Sequence, residues 1–324
     1  MIKLAIDTLG SDNGYIPSVN GAIRAINEVK DLSIILFGRK KEIDELLSSL
    51  SYDKERVLVI DSESEINNYD HPVRAIKEKK NSSLVKALEY MKDNEDVLGI
   101  VNASSTGALL VGSSLILGRI ESLRPAMASY LPNEAGNLAI ITDCGANPDP
   151  RPEQMLQFAY MGSALAKAYL KIDNPKVAIL SNGIEEGKGS ELVKESYKLL
   201  KESSLNFIGN VEGSDALSGR CDVIVSDGFT GNVFLKTVEG SAKMIIKEII
   251  KNGKTKNDMN YIKIGRELIE HYDFTSLGGG ILLGVNKVVV KGHGSANEDT
   301  WFNCVKICYE LAKNDLVGKI KELL

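Results

Sequence analysis

VIVSDGFTGNVFLKTVEGSAKMIIKEII, residues 223–250, opens as a β-branched apolar run and closes with the spacing of a long helix. A buried strand that passes into a helix through Asp227, Gly228, Phe229, Thr230, Gly231 and Asn232 is the junction of a βα unit. The same alternation recurs along the chain. The runs KLAID, SIILFG, RVLVID, VLGIVN, LAIITD, KVAILS, LNFIGN and CDVIVSD lack the in-out alternation of a one-sided sheet, as expected for parallel strands covered on both faces. Helices are predicted over 17–29, 39–50, 82–93, 106–118, 152–171, 189–203, 230–251, 259–271 and 297–313. The expected fold class is therefore α/β with a mostly parallel sheet, as a single α/β domain over 1–324. The pattern weakens at KNGKTKND and HYDFTSLGGGILLG, so a projecting helical hairpin is expected around 251–286, with Gly278–Gly280 as a flexible or closely approached backbone.

Composition narrows the function. With 43% hydrophobic and 26% charged residues, the chain has the profile of a folded protein in water. Its 39 basic and 44 acidic residues are scattered and sum to −5, so no basic field exists to hold a nucleic-acid backbone. The start, MIKLAIDTLGSDNG, goes straight into a strand without a leader pattern, and a cytoplasmic location is expected. The most apolar helix, GALLVGSSLILG at 107–118, carries two serines and leads into Arg119, so it is not read as a membrane span. Cys144, Cys221, Cys304 and Cys308 show no CxxC spacing; all are read as reduced, with no metal site and no cofactor expected.

In open α/β sheets ligands bind beyond the carboxyl ends of strands, which directs attention to VNASSTGALL, ITDCGANPDPRPEQM, ILSNGIEEGKGSEL and VSDGFTGNVFL. A helix starting at Thr230 is expected to leave amide N–H groups unpaired. Gly228 and Gly231 would let an anion reach the backbone, Thr230 and Asn232 would add donors, and Lys236 would reach back from the next turn. The Thr-Gly step recurs after another strand, where Ser105, Thr106 and Gly107 form a second expected seat beside Ser104. Asn147 is a candidate donor, with Asp143 expected to fix loop amides; Cys144 has no neighbouring base and is read as a buried thiol. Lys188 lies on a Gly-Lys-Gly hinge. The segment around it is not a P-loop, because Gly183 to Gly187 leaves three intervening residues where four are needed. His293, flanked by glycines, is a further candidate, and Arg74, Lys77, Lys79 and Lys80 form a basic run suited to an acidic partner.

DGFTGNVFLKTVEGSA, RAIKEKKNSS, STGALL, RPAMASYLP, DCGANPDPRPEQMLQFAYMGSA, FIGNVE and HGSAN, spread over most of the chain, resemble the bacterial phosphate acyltransferase (PlsX) family. The resemblance implies a three-layer α/β/α fold like that of isopropylmalate dehydrogenases and phosphate acetyltransferases. It implies transfer of a fatty acyl chain from acyl carrier protein to inorganic phosphate, giving acyl phosphate for phospholipid synthesis. A cytosolic homodimer with peripheral membrane contact is implied as well. Asp7, Gly10 and Asp12 match the family's first loop, although DTLGSD stands where the family has DAMGGD, and SSTGAL stands for GNTGAL. On this reading phosphate lies between Asp227–Asn232 and Ser105–Gly107, with Lys188, Asn147 and His293 acting on the carbonyl or the sulfur. A coenzyme A donor and a non-catalytic acyl-phosphate binder are the alternatives. A dehydrogenase is disfavoured because no GxGxxG with a following acidic residue succeeds a strand.

Overall fold

The computed structural model describes residues 1–272 and 279–324. In chain order the first elements are β1 (Ile2–Asp7), α1 (Ile16–Glu28), β2 (Leu32–Gly38), α2 (Lys40–Ser48), β3 (Val57–Asp61), α3 (Pro72–Glu78), α4 (Ser83–Asp93), β4 (Val97–Asn102) and α5 (Thr106–Gly112). Next come β5 (Ala126–Pro132), β6 (Leu138–Thr142), α6 (Pro152–Leu165), β7 (Lys176–Ser181), α7 (Glu191–Glu202), β8 (Asn206–Glu212), β9 (Val223–Val225) and α8 (Gly228–Lys256). The chain closes with α9 (Met259–Tyr272), β10 (Gly280–Leu283), β11 (Val288–Lys291), α10 (Glu298–Lys313) and α11 (Leu316–Glu322).

These elements form two compact units. Among the described residues the first comprises 1–125, 167–172 and 279–324, and the second 126–166 and 173–272. In the first unit the strand order is β3-β2-β1-β4-β11-β10, parallel except for the β10–β11 pair. Helices α1 and α10 pack together, with α10 on β1, β4 and β11, while α4 covers β1, β2 and β4. In the second unit the order is β5-β6-β9-β7-β8, parallel except for β5–β6. Helices α6 and α7 pack together there, α8 lies on β5 and β6, and α8 packs against α9. The fold is thus three-layer α/β/α with mostly parallel strands.

The physical basis is the one the apolar runs imply. Leu4, Ala5 and Ile6 of β1 and Val223, Ile224 and Val225 of β9 are fully buried, so consecutive residues face helices on both sides. All eight predicted runs are strands. Three strands escaped sequence reading: β5, whose AMASYLP contains a proline, and the four-residue β10 and β11. Helices α3 and α11, seven residues each, were also not predicted, being too short to show periodicity. Helix α8 begins two residues earlier and ends five later than predicted. The hairpin expected around 251–286 corresponds to α8 and α9 joined at Asn257 and Asp258; Gly280–Leu283 is strand rather than hairpin. Gly278 lies outside the described residues. Among those described, no helix is long and apolar enough to cross a membrane.

Candidate active site

Three adjacent parallel strands of the first unit end in polar side chains. Lys291 of β11 is the register partner of Asn102 of β4, and β1, which ends at Asp7, pairs with β4 on its other edge. The Asn102 amide donates to Asp7 Oδ2 at 2.6 Å and to Ser104 Oγ at 2.8 Å, and its oxygen accepts from the Ser104 N–H at 3.0 Å. Asp7 Oδ1 also accepts from the Leu9 N–H. Gly10 stands at φ +79°, and a Cβ on it would lie 2.5 Å from Ser104 Cβ, which locks the loop after β1 onto the loop after β4. Burial pushes the Asp7 carboxyl up to about 6, although hydrogen bonds from Ser83, Leu9 and Asn102 favour its charged form.

That shift has a signed consequence. A carboxyl held above its ordinary 3.8 contributes stability that is complete below that value and is lost as pH rises through about 6. Stability of the wild type relative to Asp7→Asn, measured by urea unfolding, is therefore expected to fall by about 2 kcal/mol from about pH 4 to pH 7. A difference that stays flat over this range would show that Asp7 titrates normally.

Beyond Asn102 the chain enters α5. Ser105 caps it by accepting from the Ala108 N–H, and the Ser105 carbonyl accepts from Leu109. Among the described residues the backbone N–H groups of Ser105, Thr106 and Gly107 have no hydrogen-bond partner. These amides follow the end of β4, and the end of its neighbour β11 carries Lys291. Lys291 is 9% exposed and donates to the Gly292 carbonyl, its single hydrogen bond among the described residues. Burial pulls its ammonium down to about 8, with Cys304, Asp12 and Asp7 acting the other way. His293 follows on an exposed turn, where its Nδ1 accepts from the Ser295 N–H and lies 2.8 Å from Ser295 Oγ.

The second unit corrects the reading of the 227–232 junction. Its amides are not open: Gly228 donates to the Asn147 carbonyl, Phe229 and Thr230 donate to Asp227 Oδ1, and Gly231 donates to the Asp227 carbonyl. Nor are its glycines openings for a ligand. A Cβ on Gly228 would lie 2.7 Å from the Asn147 nitrogen, and one on Gly231 would run into the Asp143 carbonyl. They are glycines because the 143–147 loop occupies that space. Thr230, Asn232 and Lys236 remain exposed, with Lys236 paired to Glu239 at 2.7 Å. The hydroxyl of Thr230 and the amide of Asn232 have no hydrogen-bond partner among the described residues, so side chains, not backbone, are what this turn offers.

Asp143 organises that loop. Fully buried, it accepts from the N–H of Met127, Ala146 and Asn147 and from Asn147 Nδ2, at 2.6 to 3.1 Å. Burial raises its carboxyl above the ordinary value while these donors oppose the shift. Asn147 is therefore held by Asp143 and in turn anchors α8 through Gly228. Cys144 donates to the Met127 carbonyl, and burial pushes its thiol far up, so it is no nucleophile. Lys188 is exposed in a loop tied by its own N–H to Glu185 and by the Gly189 N–H to Asn182. Its ammonium has no hydrogen-bond partner among the described residues.

The basic run is largely compensated locally. Arg74 pairs with Glu78 at 2.9 Å, Lys80 with Glu89 at 3.6 Å and Lys79 with Asp70 at 2.6 Å, which leaves Lys77 exposed on α3. Sequence reasoning missed Lys291 and Asn102. Their signal was legible in retrospect: a lysine and an asparagine closing otherwise apolar strands, at the carboxyl ends where ligands bind in such sheets.

The family model for fatty acid synthesis protein matches residues 2–319. A phosphate acyltransferase of Clostridium novyi is 39% identical over 99% of this chain and 98% of its own length. One of Caldanaerobacter subterraneus is 41% identical over 99% and 97% respectively. Among solved structures, a phosphotransacetylase from Streptococcus pyogenes aligns over 96% of this chain and 94% of its own with TM-score 0.59 at 17% identity. A branched-chain phosphotransacylase from Enterococcus faecalis aligns over 95% and 99% with the same score at 15% identity. Those structures are similar in fold. The sequence relatives, at such identity over almost the whole length, make this chain an acyltransferase and a member of the fatty acid synthesis protein family of phosphate acyltransferases, the PlsX family.

Proposed function

We propose that the chain transfers a fatty acyl group from acyl carrier protein to inorganic phosphate, releasing acyl phosphate and the free carrier thiol for phospholipid synthesis. The observation that carries this reading is the set of unpartnered amides at Ser105–Gly107 in the unit that also buries Lys291. Amides at a helix start and a desolvated ammonium favour a small oxyanion over a neutral ligand. In this reading an oxygen of hydrogenphosphate attacks the thioester carbonyl, the tetrahedral oxyanion collapses, the carbon–sulfur bond breaks, and the sulfur leaves as the thiol with the proton the hydrogenphosphate brought. A thiol with an ordinary value near ~8.5 is a competent leaving group, so no covalent enzyme intermediate is needed.

The roles follow from what each group can still donate. Ser105, Thr106, Gly107 and Lys291 hold phosphate, and Asn102, held by Asp7, positions the Ser104 loop. Lys188, Thr230 and Asn232 present donors to the carbonyl oxygen, Asn147 and Asp143 fix the turn that carries Thr230 and Asn232, and His293 is assigned to the side of the departing sulfur. Arg74, Lys77 and Lys80 receive the acidic carrier: exposed ion pairs are worth about 0–1 kcal/mol, so its carboxylates can replace Glu78 and Glu89. The working form is a cytoplasmic homodimer with peripheral membrane contact.

The test is to incubate the pure protein with phosphate and either palmitoyl-acyl carrier protein or palmitoyl-coenzyme A, trapping acyl phosphate as its hydroxamate. Product is expected faster from the carrier protein, and Lys188→Ala is expected to lower it more than tenfold with an unchanged circular dichroism spectrum. Faster turnover of the coenzyme A thioester would transfer the assignment to that donor. Phosphate-independent thioester loss, or none, would remove it.

A further inference from the structure

The FIGNVE run of β8, Phe207–Glu212, has no part in the chemistry above. This edge strand is irregular: Val177 of β7 partners Phe207 and Ile179 partners Asn210, so β8 takes three steps where β7 takes two. Within the extra step lies Gly209, at φ +100°, where an added Cβ would meet Tyr197 Oη at an ordinary 3.6 Å. Conformation, not space, therefore requires the glycine. Such a bulge re-aims the side chains that follow it. The first of them is Asn210, 7% exposed. Its Nδ2 donates to the Glu185 carbonyl at 2.7 Å, and the same carbonyl accepts from the Lys188 N–H at 3.0 Å. One oxygen thus joins the strand amide to the backbone of the lysine loop. A carbonyl can only accept, which fixes the orientation of the amide and leaves Asn210 Oδ1 buried without a hydrogen-bond partner among the described residues. A side chain kept for packing alone would avoid that cost. The loop's other ties are weaker or local. Lys201 and Glu186 form an exposed pair at 2.9 Å, and the Gly189 N–H donates to Asn182 Oδ1 at 2.9 Å. The Lys188 stem lies across Gly183, where a Cβ would come within 2.7 Å of Lys188 Cγ.

From this we infer that Asn210 is the positioning residue for Lys188: the bulged strand aims a buried amide at the Glu185 carbonyl, and that carbonyl holds the backbone from which the ammonium projects. The inference rests on the acyl-transfer reading, in which Lys188 serves the thioester carbonyl, and adds how an exposed lysine between two glycines is kept in place. A donor that must first be ordered contributes less to a developing oxyanion than one already in position. The Gly-Lys-Gly segment is accordingly pinned from β8 and does not act as a free hinge.

Asn210→Leu keeps the approximate shape and removes both the donor and the orphaned oxygen, so it is expected to be as stable as wild type in a thermal melt. Its kcat with palmitoyl-acyl carrier protein is expected to fall about tenfold, while KM for phosphate stays within about twofold. In a Lys188→Ala background the same substitution is expected to lower kcat by less than about twofold, because the group it positions is already gone. Hydrogen exchange reads the loop without turnover: the Lys188 amide is expected to exchange about fivefold faster in Asn210→Leu, while the amides of β7 keep their protection. Equal fractional losses of kcat in both backgrounds overturn the assignment. So does unchanged exchange at Lys188, or a loss of activity that tracks a loss of stability. Should leucine prevent folding, Asn210→Ser, too short to reach the Glu185 carbonyl, carries the same comparisons. If the wild type turns over no donor, the acyl-transfer reading fails, and exchange then decides separately: acceleration at Lys188 keeps Asn210 as the residue that holds the loop, and no acceleration removes it.

Discussion

Lys291→Met is expected to lower phosphate-dependent kcat/KM about a hundredfold while leaving the protein as stable as before or more so. An ammonium that is 9% exposed and bonded to one carbonyl among the described residues is incompletely compensated within its own unit. Burial alone would expel the charge, and its pull down to about 8 records that cost. A phosphate oxygen would offset it, so the residue costs stability in the free protein and returns it as affinity for an oxyanion. Methionine keeps the length and removes the charge. The pH dependence follows with a definite sign: wild-type turnover at fixed phosphate falls as pH rises through about 8, where the lysine loses its proton, and this limb is absent in the variant. Steady-state kinetics with a thermal melt on each protein distinguishes the outcomes. Full activity in Lys291→Met, or loss of activity matched by loss of stability, would remove Lys291 from phosphate binding.

Much of the architecture was legible because parallel strands buried on both faces leave a simple sign, an apolar run without alternation. KLAID and CDVIVSD show it plainly, and both are buried strands. AMASYLP did not, because β5 is antiparallel to β6 and ends in a proline, the kind of residue that marks an edge or a strand end. At the site the limits were of another kind. Sequence placed glycines and hydroxyls at helix starts, and that placement held, but it could not tell who satisfies the amides. Ser105–Gly107 keeps open amides because the Ser105 side chain caps only Ala108. At Gly228–Gly231 an aspartate cap and a folded-back loop 80 residues earlier in sequence, around Asn147, take every one. Such long-range pairing has no local signature. Lys291 was missed for the same reason: in VKGHGSAN attention falls on the histidine, while only burial distinguishes the lysine from the many exposed ones.

Asp143→Ala is expected to be the most destabilising of these substitutions, by about 4 kcal/mol, and to abolish turnover with it. The carboxylate is fully buried and accepts from four N–H donors, three of them backbone groups that no rotamer change can redirect. Removing it leaves donors without acceptors in a site closed to water, each costing about 1–3 kcal/mol, less whatever the loop recovers by relaxing. The damage propagates along covalent and hydrogen-bonded links: the 143–147 loop loosens, the Asn147 carbonyl leaves the Gly228 N–H, and α8 loses the support that fixes Thr230 and Asn232. Asp143→Asn separates charge from shape. Its single oxygen satisfies at most part of the set, and its own amide meets donors where an acceptor is required, so it is expected to recover less than half of the lost stability. Hydrogen exchange adds a readout that bulk unfolding lacks. In Asp143→Asn the amides of 146, 147 and 228 are expected to exchange faster while those of the first unit's strands keep their protection. An Asp143→Ala protein within about 1 kcal/mol of wild type by urea unfolding would mean that these N–H groups find other partners, and that the loop is not what holds the start of α8.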